Sequence, residues 1–259
     1  MSELAASRTL RDKILVRYIA LESEVQRIAS MEQWLPVCLE GAPYARIPGV
    51  VISDIESAVE YIGELRLKRF GYHMTNNEIG CFLAHRECWK NCVQADKPMM
   101  IFEGDVAPER GSYTSLLTNA LVNRTEFFDI VRLHGVFERN EVLNRKVLSL
   151  PGPYNLVQSL GDVMGSAAYF LKPSAAFALL KASSRFFVPV DVFLGSTWLH
   201  RQRFRAVKPY PFLTYDFPST IGEDRRRPKQ NLVDRLRIEA ARMSDDLRRL
   251  AYLPTHFFR

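Results

Sequence analysis

The chain has 259 residues, 47% hydrophobic and 25% charged, which suits one large globular domain with its own core. Its four cysteines are Cys38, Cys81, Cys88 and Cys92, three of them crowded into residues 81–92; this excludes a spread-out disulfide framework and points to free thiols in a reducing compartment. The net charge of +6 is local: residues 225–259 hold ten Lys or Arg against four Asp or Glu, while residues 1–224 balance at 25 of each.

That asymmetry divides the chain into a neutral body, 1–224, and a basic tail, 225–259. The opening Met-Ser-Glu-Leu-Ala-Ala-Ser-Arg has neither the basic start nor the apolar run of a secretory signal. The most apolar stretch, Ser166 to Leu180, is cut by Lys172 and Pro173, so no membrane span is expected and the reading is cytoplasmic.

In chain order, Leu15 to Leu21 has the β-branched and aromatic content of a strand, and a helix is predicted from Glu22-Ser23 to about Trp34. Pro36 to Val51, with Gly41, Pro43, Pro48 and Gly49, reads as loop and short strand. One helix is predicted over Ser53 to Arg69, capped by Ser53 or Asp54 and stopped at Gly71. Thr75-Asn76-Asn77-Glu78 has capping-box spacing and opens the next helix. Pro98 to Phe102 reads as a buried strand ending at Glu103-Gly104-Asp105. A helix over Ser112 to Val122, a strand over Phe128 to Leu133, two short strands or loop over Val147 to Val163, a strand over Ser166 to Leu171 and a helix over Pro173 to Ala182 continue the alternation. The expected fold class is α/β, a mostly parallel sheet flanked by helices.

Three features carry chemistry. A buried strand ending in carboxylates at i and i+2 turns both to one side, beyond a strand's carboxyl end where α/β folds collect ligands. Glu103 and Asp105 are thereby candidates to share a divalent cation such as Mg²⁺ or Mn²⁺; the alternative is an ordinary polar turn. Cys81, His85, Cys88 and Cys92 recur at helical spacing, but with no Cys-x-x-Cys the stripe reads as core packing rather than zinc. Asp191, after a short apolar strand expected at Val188-Pro189-Val190, is either a general base or sugar ligand, or a helix N-cap.

In order along the chain, these blocks resemble glycosyltransferase family 25, the lipopolysaccharide and lipooligosaccharide biosynthesis enzymes. The residues that carry the likeness are Ile19 to Ser23 with Arg27, Thr75 to His85 (T-N-N-E-I-G-C-F-L-A-H), Met99 to Val106, Gly165 to Tyr169, Val188 to Asp191, and Pro218 to Ile221. The resemblance implies a GT-A-type, Rossmann-like fold and inverting transfer from a UDP-sugar, most often UDP-galactose, to a glycolipid or oligosaccharide acceptor. It implies Mn²⁺ or Mg²⁺ at Glu103 and Asp105, Asp191 as catalytic base, and Arg27, Glu78 and His85 in or behind the donor site. Gly104 departs from the family's usual Glu-Asp-Asp pattern. A catalytically silent nucleotide- or glycan-binding homologue and a nucleotidyltransferase are the rival readings.

In the tail, Arg225-Arg226-Arg227-Pro228-Lys229 precedes a helix predicted over Asn231 to Leu250, with a stripe of Leu232, Leu236, Met243, Leu247 and Leu250. A basic amphipathic helix suits an anionic membrane surface, with packing on the body or a dimer contact as alternatives. The expected location is cytoplasmic, peripheral on the inner face of the membrane. No nucleic-acid-binding module accompanies the charge, so nucleic acid is not an expected partner.

Overall fold

A computed structural model describes residues 10–109, 113–135, 144–159, 165–215 and 232–257. The elements in order are α1 (Leu10–Lys13), β1 (Leu15–Ala20), α2 (Val25–Cys38), β2 (Tyr44–Pro48), α3 (Gly63–Phe70), α4 (Asn76–Ala95), β3 (Met99–Glu103), β4 (Val106–Pro108), α5 (Thr114–Val122), β5 (Ile130–Arg132), β6 (Asn144–Ser149), β7 (Asn155–Ser159), β8 (Ala168–Leu171), α6 (Pro173–Ala182), α7 (Val190–Gly195), α8 (Thr197–His200), β9 (Phe204–Lys208), β10 (Phe212–Thr214) and α9 (Leu232–Phe257). An eight-stranded sheet runs β2-β1-β3-β8-β5-β9-β7-β6, and β4 with β10 forms a separate antiparallel pair. Following the pairings across the large sheet, β8 and β7 run against the other six strands. The expected α/β layering with a mostly parallel sheet is what the chain adopts.

Alternation along the strands divides the core between the two faces. Val16, Tyr18, Met100, Phe102 and Phe170 pack with Met31 and Leu35 of α2 and Leu117 and Leu121 of α5. Met99, Ile101, Ile130, Tyr169 and Leu171 pack on the opposite face with Phe82 and Trp89 of α4, Leu179 of α6 and Phe193 of α7. At Gly80, inside α4, an added Cβ would collide with the carbonyl of Val50, so this helix approaches the β2 connection at a distance only glycine allows.

The α4 capping box forms in full: Thr75 Oγ1 accepts from Glu78 N at 3.1 Å, and Glu78 Oε2 accepts from Thr75 N at 3.0 Å. Several expectations are corrected. The helix predicted to end near Trp34 runs through Pro36 to Cys38. The single helix expected over Ser53 to Arg69 is a 3-10 turn at Ile55–Ser57, capped by Asp54, followed by a break before α3. Tertiary pairing causes that break: Ile62 N donates to Phe186 O and Phe186 N to Glu60 O, both at 2.8 Å. Val188 to Val190 forms no strand; α7 begins at Val190 with Pro189 as its N-cap, which puts Asp191 in the first turn rather than at the cap. Strands β4, β9 and β10 were not anticipated. Pro218 to Ile221 and Arg225 to Lys229 lie outside the described residues.

α9 is packed on the body. Ile238 and Ala241 are buried, Arg69 of α3 pairs with Asp245 at 2.8 Å, and Arg249 lies over the Trp198 ring of α8. Its own charges nearly cancel, with five Arg against Asp234, Glu239, Asp245 and Asp246, so the basic excess flanks the helix. Among the described residues no helix is long and apolar enough to cross a membrane.

Candidate functional site

β1 pairs in parallel with β2 on one side and β3 on the other, so the chain reverses its direction of winding at β1 and leaves a crevice beyond the carboxyl ends of β1 and β3. A cavity of about 1070 Å³ opens at the β3 side of this edge, walled by the ends of β3 and β5, the start of β8, the first turns of α4 and α7, and residues of α3, α8 and α9. Glu78, Glu103, Asp105 and Asp191 reach its lining; Arg27 and His85 do not and stand behind it.

Glu103 is the last residue of β3, and its backbone N–H donates to Ala167 O at 2.8 Å, fixing the strand end against β8. Its Oε1 accepts from Ser166 Oγ at 2.6 Å and faces His85 Nε2 at 3.4 Å. Burial alone pushes this carboxyl up, but the hydrogen bonds from His85 and Ser166 and the nearby histidines outweigh it, holding Glu103 below its ordinary value and ionised. Asp105 is the opposite case: burial first, then the charge of Glu103, push it up to about 6, with Arg27 only partly offsetting them. Asp105 Oδ1 is buried with no hydrogen-bond partner.

An orphaned carboxylate oxygen beside an ionised carboxylate is costly unless a cation completes it. The Cys81 thiol registers the same crowding: burial first, then Glu103, Asp191, Asp105 and Glu78, hold it well above its ordinary value, so four carboxylates converge on one place. The residues therefore fit a hard divalent cation held by Glu103 and Asp105. Among the described residues Cys81, His85 and Glu103 also bring one ligand atom each within 4.8 Å of one another. Cys88 and Cys92 take no part in that group; both are buried in the core with thiols raised by desolvation, and all four cysteines are free.

Gly104 faces away from the cavity. A Cβ there would lie 3.2 Å from Ala20 Cβ and from Ile19 O, and 3.4 Å from Arg27 Cβ, in the packing of β1 and α2. The departure from the family pattern thus removes no side chain from the cavity wall. Arg27 pairs with Glu24 at 2.8 Å with both side chains largely buried, supporting the turn from behind. Asp191 lines the cavity with Oδ1 accepting from Val192 N at 2.8 Å.

His134 was missed. It follows β5, is 5% exposed, lines the cavity, and has a buried Nδ1 with no hydrogen-bond partner. Burial holds it below its ordinary value, with Glu103 pulling the other way. The signal was readable: His134-Gly135 ends an apolar strand as Glu103-Gly104 does, and a Cβ at Gly135 would strike the Tyr210 ring.

A cavity at the carboxyl end of β3, lined by Glu78, Glu103, Asp105 and Asp191, lies where α/β folds of the nucleotide-binding architecture hold their ligands. The chain belongs to glycosyltransferase family 25, described as lipopolysaccharide biosynthesis proteins, whose sequence profile matches residues 13–194. It is accordingly a glycosyltransferase of that biosynthesis, a family that implies a nucleotide-sugar donor and a glycan acceptor. Among solved structures, apo UDP-glucose pyrophosphorylase matches with 11% identity and a TM-score of 0.34, covering 91% of this chain and 82% of that one; at that level the likeness carries no argument. No curated protein matches the sequence.

Proposed function

We propose that this enzyme transfers a hexose, galactose first among the candidates, from a UDP-sugar to a lipopolysaccharide- or lipooligosaccharide-type acceptor with inversion. The observation that carries the reading is the buried, unpartnered Asp105 Oδ1 beside ionised Glu103 at the cavity wall. Glu103 and Asp105 would hold Mn²⁺ or Mg²⁺, which supplies Lewis-acid stabilisation of a departing diphosphate. Asp191 takes the proton of the acceptor hydroxyl. The acceptor oxygen then bonds to the anomeric carbon as that carbon's bond to the diphosphate oxygen breaks, and this single displacement inverts the centre. Glu78 keeps its capping role while contributing negative charge to the same wall.

The test is release of UDP from a panel of UDP-sugars with Mn²⁺ and lipooligosaccharide acceptors. Asp105→Asn is expected to lower turnover by at least about 100-fold. Nucleotide binding with no turnover on any acceptor would instead favour a silent homologue, and pyrophosphate release from a nucleoside triphosphate would favour a nucleotidyltransferase.

The acceptor reading extends to α9. Its inner residues Ile238, Arg242 and Asp245 wall the cavity, while Leu232, Leu236, Met243 and Leu247 on the outer face are 64–72% exposed. Spacings of 4, 7 and 4 put those four on one helix face, with the basic run 225–229 just before it in sequence. An anionic membrane against that face, with the enzyme peripheral at the cytoplasmic side, would bring lipid-linked acceptors to the cavity mouth.

A further inference from the structure

Behind Glu103 lies a chain of buried groups that the proposed reaction does not use. Trp89 Nε1–H donates to Tyr169 Oη at 2.8 Å, Tyr169 Oη meets His85 Nδ1 at 2.9 Å, and His85 Nε2 meets Glu103 Oε1 at 3.4 Å. Trp89, Tyr169 and His85 are each completely buried. They come from two elements, α4 at i and i+4 (His85 and Trp89) and β8 (Tyr169), so the arrangement exists only in the folded protein.

The proton positions follow from what each group is able to do. An indole N–H only donates, so Tyr169 Oη accepts from Trp89. The phenol retains one proton, burial holds that proton firmly in place, and the acceptor it meets is His85 Nδ1. If Nδ1 accepts, the neutral imidazole carries its proton on Nε2 and donates it to Glu103. The carboxylate end gives the same answer, because Glu103 Oε1, which already accepts from Ser166 Oγ at 2.6 Å, meets His85 Nε2 as an acceptor. Both ends of the chain agree on every proton.

We propose that Trp89, Tyr169 and His85 form a one-way hydrogen-bond relay that fixes His85 as its Nε2–H tautomer and, with Ser166, pins Glu103 Oε1, turning Oε2 to the cavity for the cation and donor diphosphate. His85, Tyr169 and Trp89 are positioning residues, a role resting on the donor-site reading above. The relay competes with another use of the same atoms: a metal bound by Cys81, His85 and Glu103 would take the Nε2 lone pair and place the imidazole proton on Nδ1.

Long-range ¹⁵N–¹H spectra of the folded, metal-free protein decide between them, with the His85 signals assigned by their loss in His85→Gln. The expected pattern is the Nε2–H tautomer; an Nδ1–H tautomer overturns the relay whether or not the protein turns over any sugar. Tyr169→Phe removes the hydroxyl and is expected to weaken Mn²⁺ binding, followed by electron paramagnetic resonance, by about 10- to 100-fold. Unchanged Mn²⁺ affinity in a folded Tyr169→Phe protein would overturn the positioning role. So would stoichiometric Zn²⁺ binding abolished by Cys81→Ser, since that assigns His85 to a metal. Trp89→Phe, which removes only the first donor, provides a milder variant should Tyr169→Phe fold poorly, and a smaller loss of Mn²⁺ affinity in the same direction is expected.

Discussion

Two carboxylates one residue apart on either side of a glycine sit in opposite electrostatic states, and the difference is local. Glu103 receives side-chain hydrogen bonds that stabilise its charge, whereas Asp105 is pushed up to about 6 by burial and by the charge of Glu103, with a backbone hydrogen bond and Arg27 offsetting them only in part. Divalent cation binding is therefore expected to weaken as pH falls through about 6, because a proton competes for the Asp105 oxygen. Mn²⁺ titrations between pH 5 and 8 check this, with a flat profile counting against Asp105 as ligand. Gly104 makes a separate prediction. Its Cβ position is crowded by β1 and α2, so Gly104→Ala should cost about 1–3 kcal/mol in stability while leaving Mn²⁺ affinity unchanged. Asp129 is a further case of charge held by geometry: burial would raise it, but Arg203 and Lys172 hold it at about 2, against an ordinary 3.8. A depressed carboxyl contributes its stability above the ordinary value and loses it as pH falls toward about 2. Urea unfolding across that range should show an acid-side loss that Asp129→Asn removes, the variant being less stable at neutral pH by about 2–4 kcal/mol.

At the scale of elements, α9 carries two apolar faces of different fate. Ile238 and Ala241 are covered by the body, whereas Leu232, Leu236, Met243 and Leu247 are exposed on the other side. Anionic vesicles should sediment the protein and zwitterionic ones should not, since each Lys or Arg near an anionic surface adds on the order of 1 kcal/mol. Leu236→Glu with Leu247→Glu is expected to abolish sedimentation and leave the melting temperature near wild type. A concentration-dependent dimer lost in the same double variant would assign the face to a second copy of the chain instead.

Across the whole molecule, a cation held by Glu103 and Asp105 would bind only where the turn after β3 is folded against the start of β8, and should register as global stability. A ligand present at about 100 times its dissociation constant adds about 2.7 kcal/mol, equivalent to a rise of about 5–10 °C in melting temperature for a chain of this size. Mn²⁺ should raise the melting temperature of wild type, a chelator should reverse the rise, and Asp105→Asn should show neither effect.

What the sequence by itself determined is whatever short-range chemistry dictates. The α4 capping box, α6 with proline at its first position, and the apolar strand ending at Glu103 depend on neighbours within a few residues, and all are found as read. Five of the six ordered blocks fall within the residues that match the family, although most of the chain's chemistry is spread over distant segments. Only the tertiary structure decided the rest. The broken helix at residues 58–62 depends on Phe186, the direction of Gly104 depends on β1 and α2, and His134 reaches the cavity because β5 lies beside β8. The stripe of cysteines and histidine shows the division within one helix. Periodicity put Cys81, His85, Cys88 and Cys92 on a common side, but only the strands beneath α4 separate the packed Cys88 and Cys92 from His85, which meets Tyr169 and Glu103. Periodicity specifies a face; what that face touches is set by residues far away in sequence, and the protons of the site follow from those contacts.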